Sequence, residues 1–213
     1  MSMEDDLSTE IIQWLNGMSG YETIFSEGLL IIPIAKYFRD QGFDVNGDTD
    51  YYFHRSDKKS GERGKANYDF YAKNGDSETI ILEMKWLKAE FKKEGSDYSK
   101  RGNANYPRII TDFIKLAIPP VNLWKRLVVV ARDPDLPSHN YTWFKQLMGG
   151  DKLELMVVRN DTLNIKCPGE ERERIFDLLE AYKIPSLELV ITPHTPAISN
   201  GSVEVLVFSV ERK

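Results

Sequence analysis

One cysteine, Cys167, stands in a chain of 213 residues. That excludes an intramolecular disulfide and a thiolate metal cluster. Histidine is nearly as scarce: His54, His139 and His194 are scattered without ligand spacing and read as structural or surface groups. No apolar run approaches the ~20 residues of a membrane-spanning helix, and the best stretch, Leu29 to Ala35, is interrupted by Pro33. There is no Gly-rich phosphate loop, so nucleotide-driven action would need another subunit. Repeats and low-complexity tracts are absent too. The opening Met1-Ser2-Met3-Glu4-Asp5-Asp6 is acidic, which argues against a signal or transit peptide. A soluble, cytoplasmic protein without membrane contact is the expectation.

What is present suffices for one domain with a sizeable core: 41% of residues are hydrophobic and 11% aromatic. The net charge of −5 disfavours a generic polyanion binder, but it is unevenly spread. Residues 54 to 101 carry twelve Lys/Arg against nine Asp/Glu, leaving −8 for the rest. A surface facing nucleic acid needs only local positive charge. A run of this kind is equally the mark of a solvated loop, which Glu90 and Glu94 dilute.

Inside that basic region lie two strand-like segments, Tyr68-Asp69-Phe70-Tyr71 and Ile80-Ile81-Leu82-Glu83-Met84-Lys85-Trp86, rich in aromatic and β-branched residues. Alternation puts Glu83 and Lys85 on one face and Met84 on the other. Charges interrupting a buried strand are costly unless paired or metal-bound. A solvated antiparallel strand, with Glu83 and Lys85 outward, is the alternative. Lys73-Asn74-Gly75-Asp76-Ser77 is a turn signal between the segments. A loop of four or five residues sets Asp69 across from Leu82 or Glu83, whereas a two-residue Asn74-Gly75 turn pairs it with Ile80. A shared ion requires the longer loop. Asp76 is a rival carboxylate but falls in the turn.

Asp69, thirteen intervening residues and Glu83-Met84-Lys85 resemble the signature of the PD-(D/E)xK nuclease superfamily over roughly residues 20 to 160. The resemblance implies an α/β fold, a restriction-endonuclease-like mixed β-sheet core flanked by helices. It implies a divalent-metal-dependent endonuclease in which Asp69, Glu83 and the Met84 backbone carbonyl bind Mg²⁺ or Mn²⁺. Lys85 then positions or deprotonates water, or stabilises the phosphate; burial and two neighbouring acids push its pKa in opposite directions, leaving these roles open. The family's upstream acid falls on Glu27, at the start of a helix from Ser26 to Phe38 bent by Pro33, with Glu22 as fallback. Glu27 equally suits a helix N-terminus by charge alone. DNA is the expected substrate, with a homodimer or partner subunit plausible and defence or repair the implied setting. Lys58, Lys59, Arg63, Lys65, Lys88 and Lys115 are candidate nucleic-acid contacts. The competing reading is an inactive module on the same fold that binds nucleic acid or protein.

Along the rest of the chain, an amphipathic helix is expected from Ser8 to Asn16 and a strand or hairpin from Phe43 to Phe53. A polar loop follows from Arg55 to Ala66, and a charged, mobile one from Lys92 to Asn105. A helix from Tyr106 to Ile118 should bury Ile109, Ile110 and Phe113 and leave Arg108, Asp112 and Lys115 toward solvent or the active-site edge. Leu127–Ala131 reads as a buried strand, followed by a helix near Tyr141 to Met148 and a strand from Leu153 to Val158. The core is expected to span residues 1–165. Residues 166–213, a helix and two strands, then form a C-terminal α+β extension packed on the same domain.

Overall fold

The computed structural model describes residues 2–18, 28–47, 50–51, 66–75, 78–87, 98–118, 124–134, 136, 141–159, 161, 163–165 and 167–213. Five helices are described: α1 (Met3–Asn16), α2 (Gly28–Asp40), α3 (Tyr98–Ala117), α4 (Thr142–Met148) and α5 (Gly169–Ala181). The strands are β1 (Asp44–Gly47), β2 (Asp50–Tyr51), β3 (Ala66–Asn67), β4 (Phe70–Asn74), β5 (Glu78–Leu87), β6 (Trp124–Arg132), β7 (Leu153–Val158), β8 (Ser186–Ser199) and β9 (Glu204–Arg212). Seven strands form one mixed sheet in the order β1-β4-β5-β6-β9-β8-β7, and β2 and β3 pair separately. Among the described residues, only β5 and β6 run parallel within the large sheet, with α3 between them in the chain.

Strand alternation divides the apolar side chains between two layers. Ile80, Leu82, Met84 and Trp86 of β5 pack with α1 and α2, through Leu7, Ile11, Leu30 and Phe38. Ile81 and Leu87 face the other way, toward α3, α4 and α5. Leu127–Ala131 is buried on both faces, as expected of a central strand with helices above and below.

Several boundaries differ from expectation. Helix α1 starts at Met3 because Ser2 and Asp5 form a reciprocal capping box, and the acidic opening is helical. The segment from Phe43 to Phe53, expected as a strand or hairpin, holds two short described strands that pair elsewhere, β1 with β4 and β2 with β3. Helix α3 begins at Tyr98, so residues 98–105 are helix rather than loop, and Pro107 lies inside it. The largest difference concerns the C-terminal segment. Strand β9 pairs with β6 at the centre of the sheet and, with β8, separates β6 from β7. The segment after residue 165 therefore completes the sheet instead of extending it.

Candidate active site

The β4–β5 ladder runs from Asn74↔Glu78 to Phe70↔Leu82, around a connection whose Gly75 has φ +55°. Continuing that register by one residue sets Asp69 opposite Glu83, the juxtaposition the sequence pattern requires. The connection spans three residues, 75 to 77, shorter than the four or five expected, because the ladder continues to Asn74↔Glu78. The strand bends at Asp69, and the Asp69 side chain takes over where the ladder stops: Met84 N–H donates to its Oδ2 at 2.8 Å. Asp69 is thereby fixed to the backbone of the Glu83-Met84-Lys85 segment.

Glu83 and Lys85 project together toward α3, the face opposite Met84. Their positions on β5 are those of Ile81 and Leu87, which enter the α3 layer. Helix α3 answers with two charged groups three residues apart, which lie on one helical face. Lys115 forms an ion pair with Glu83. Lys85 Nζ lies 3.2 Å from Asp112 Oδ2 and donates to the Met84 carbonyl at 2.9 Å. The Lys115 ammonium also stands 5.6 Å from the Tyr68 ring centroid, within cation–π range. The cluster thus combines three carboxylates, Asp69, Glu83 and Asp112, with two ammonium groups.

Burial sets its electrostatics. Glu83 is 1% exposed, and desolvation raises its pKa well above the ordinary carboxylate value. Lys115 opposes that rise, while the charges of Asp112 and Asp69 reinforce it. Asp112, 7% exposed, is raised to about 6, again first by desolvation, against the pull of Lys85 and Lys115. Two buried acids each hold one lysine, and the half-buried Asp69, fixed on the Met84 amide, adds a third carboxylate to the cluster.

Asp69, Glu83, Met84, Lys85 and Lys115 are thus brought together. Lys115, a candidate nucleic-acid contact, forms an ion pair with Glu83. Glu27, Glu22, Lys58, Lys59, Arg63, Lys65 and Lys88 lie outside the described residues. Helix α2, which follows Glu27 in the chain, packs on the face of the sheet opposite the cluster. Asp112, expected toward solvent or the active-site edge and given no role there, is buried in the cluster. Its only sequence signal is that it shares a helix face with Lys115, three residues on.

Among the described residues, no three His, Cys, Asp or Glu side chains stand close enough to hold a metal ion between them. The donor chemistry nevertheless suits Mg²⁺, which is commonly bound by one or two carboxylates, with water and substrate phosphate completing the shell. Asp69, Glu83 and the Met84 carbonyl, which keeps a second lone pair, are hard oxygen donors of that kind.

No protein-family model, curated protein or solved structure matches this chain. Among the described residues, no helix is long and apolar enough to cross a membrane.

Proposed function

We propose that the chain is a divalent-metal-dependent nuclease of PD-(D/E)xK type, hydrolysing phosphodiester bonds, with DNA as the substrate. The observation that carries this reading is the β4–β5 register. It brings Asp69 opposite Glu83, anchors Asp69 on the Met84 amide and leaves Lys85 on the same face. Asp69, Glu83 and the Met84 carbonyl would hold Mg²⁺ or Mn²⁺, which supplies charge neutralisation at the phosphate and acidifies a water. Asp112 holds the Lys85 ammonium at the edge of this acidic set, so Lys85 is positioned before substrate arrives. Lys115 balances the Glu83 charge while the site is empty of substrate. A mixed, helix-flanked sheet supports the restriction-endonuclease-like architecture.

One observation favours a second reading, an inactive binding module on the same fold: both lysines of the cluster are already paired with carboxylates. Cleavage of supercoiled plasmid in Mg²⁺ and in Mn²⁺ separates the two. Nicking or linearisation by the wild type, lost in EDTA and in Glu83→Ala, supports the nuclease. Lys85→Ala should lower the rate by about 10²-fold or more while the protein stays folded. Full activity in Lys85→Ala would sink the assignment. Calorimetry with Mg²⁺ and Mn²⁺ on wild type and Glu83→Ala tests the ion site without reference to turnover.

A further inference from the structure

The central sheet forks between β6 and β9. Their ladder begins at Leu127↔Ser209, whereas Trp124–Arg126 stay paired with β5, and Val210–Arg212 with β8. Two neighbouring strands therefore part toward one end of the sheet. A cavity of about 620 Å³ opens at the gap, within the size range of small-molecule sites.

Its lining is built for an anion. Arg126 and Arg212 both contribute to it, and alternation sends both toward the α3 face, with Val128 and Val210. Arg126 is 6% exposed. Burial draws its pKa down; Tyr68 opposes this, and the like charge of Arg212 adds to it. Arg212 is held toward the cleft by donating to the Ile118 carbonyl, at the end of α3, at 3.2 Å. Two guanidinium groups on one lining offer the planar donor forks that suit a phosphate. On the α1 face, the register partners Thr192 and Ser209 add hydroxyls to the same lining. Lys125 stands there as well, bound to Glu4 at 2.7 Å. Lys152 adds a further cation, Glu211 is the second acid, and Trp124 offers an aromatic surface.

We infer that this forked cleft binds a phosphate-bearing small molecule of the nucleotide class, with Arg126 and Arg212 taking the phosphate and Trp124 the base. The cleft is a neighbour of the acidic cluster and not part of it: Tyr68 stands between Lys115 and Arg126, and Glu83 and Lys85 are in register with Val128 and Val130, beyond the fork. It does not depend on the nuclease reading.

Calorimetric titration of the full chain in EDTA, with AMP, inorganic phosphate and adenosine, tests this. AMP should bind saturably and at least about tenfold more tightly than inorganic phosphate, and adenosine should give no measurable binding. Arg212→Gln should weaken AMP by about tenfold or more, the scale of a lost charge-assisted hydrogen bond. Lys152→Gln, at an exposed position, should weaken it several-fold, and guards against misfolding of the Arg212 variant. Glu83→Gln should leave AMP affinity unchanged. Equal affinity for phosphate and AMP would overturn the nucleotide assignment. The site itself falls if AMP fails to saturate up to about 5 mM, or if its affinity is unchanged from wild type in both cleft variants.

Discussion

Two buried glutamates, one on each face of the sheet, are each paired with a lysine and yet behave in opposite ways. Glu83 pairs with Lys115 beneath α3, and its pKa is raised. Glu4 pairs with Lys125 at the start of α1, and its pKa is lowered. Desolvation is the largest influence on both and raises both. The neighbours decide the outcome. Around Glu83 stand two further carboxylates. Glu4 has Lys125 as its hydrogen-bond partner and the imidazole of His194 3.9 Å away, and it sits in the first turn of a helix, where negative charge is favoured. An acid paired with a lysine is thus an ordinary structural clamp. Acids crowded together out of water hold unfavourable energy, which marks a functional site better than pairing does.

The same substitution at both positions tests that difference. Its largest expected effect is on turnover: Glu83→Gln should lose plasmid cleavage by about 10²-fold or more, and Glu4→Gln should retain it. Stability should move the other way. Glu4→Gln strips Lys125 of its charged partner and should cost roughly 1–3 kcal/mol in urea unfolding at pH 7. Glu83→Gln removes one of three crowded carboxylates and leaves Asp69 and Asp112 to balance two lysines. Its stability at pH 7 should stay within about 1 kcal/mol of wild type, or exceed it. A greater loss of stability at Glu83 than at Glu4 would show the acidic cluster to be a structural clamp as well.

The difference between the two faces was only partly legible in the sequence. Glu83 and Lys85 could be placed on one face because strand alternation fixes their relation locally, whereas setting Asp69 opposite Glu83 depended on a turn length that the sequence left open. Asp112 could be placed only toward solvent or the active-site edge, since a polar residue on an amphipathic helix can border either water or a charged strand. The α3 crossover onto β5 makes that choice. The Glu4 clamp was hidden for a similar reason: its acidic run reads as a solvated end until Lys125, far along the chain, comes to meet it. The central place of β9 likewise depends on pairing with β6 across more than seventy residues, which no local pattern encodes. The same pairing creates the fork, so the cleft had no sequence signal either.

The smallest effect, and the most discriminating, is in pH dependence. Asp112 has an ordinary pKa of 3.8, raised in the folded protein to about 6. Between those values the native state holds a proton that the unfolded chain has released. The contribution of Asp112 to stability is therefore greatest below 3.8 and declines as pH rises toward about 6. Glu4 carries the opposite sign. Its folded pKa lies below the ordinary 4.5, so its contribution is present above that value and is lost as pH falls through the lower one. Unfolding free energies measured by urea titration from pH 3 to pH 7 should separate the two. Asp112→Asn should remove the decline between about pH 4 and pH 6, and Glu4→Gln should remove part of the rise on the acid side. If Asp112→Asn leaves the profile unchanged, Asp112 ionises as an ordinary surface acid and has no special hold on Lys85. A profile flattened only by Asp112→Asn would mean that the α3 face stores the unfavourable charge, the condition under which an arriving cation gains most.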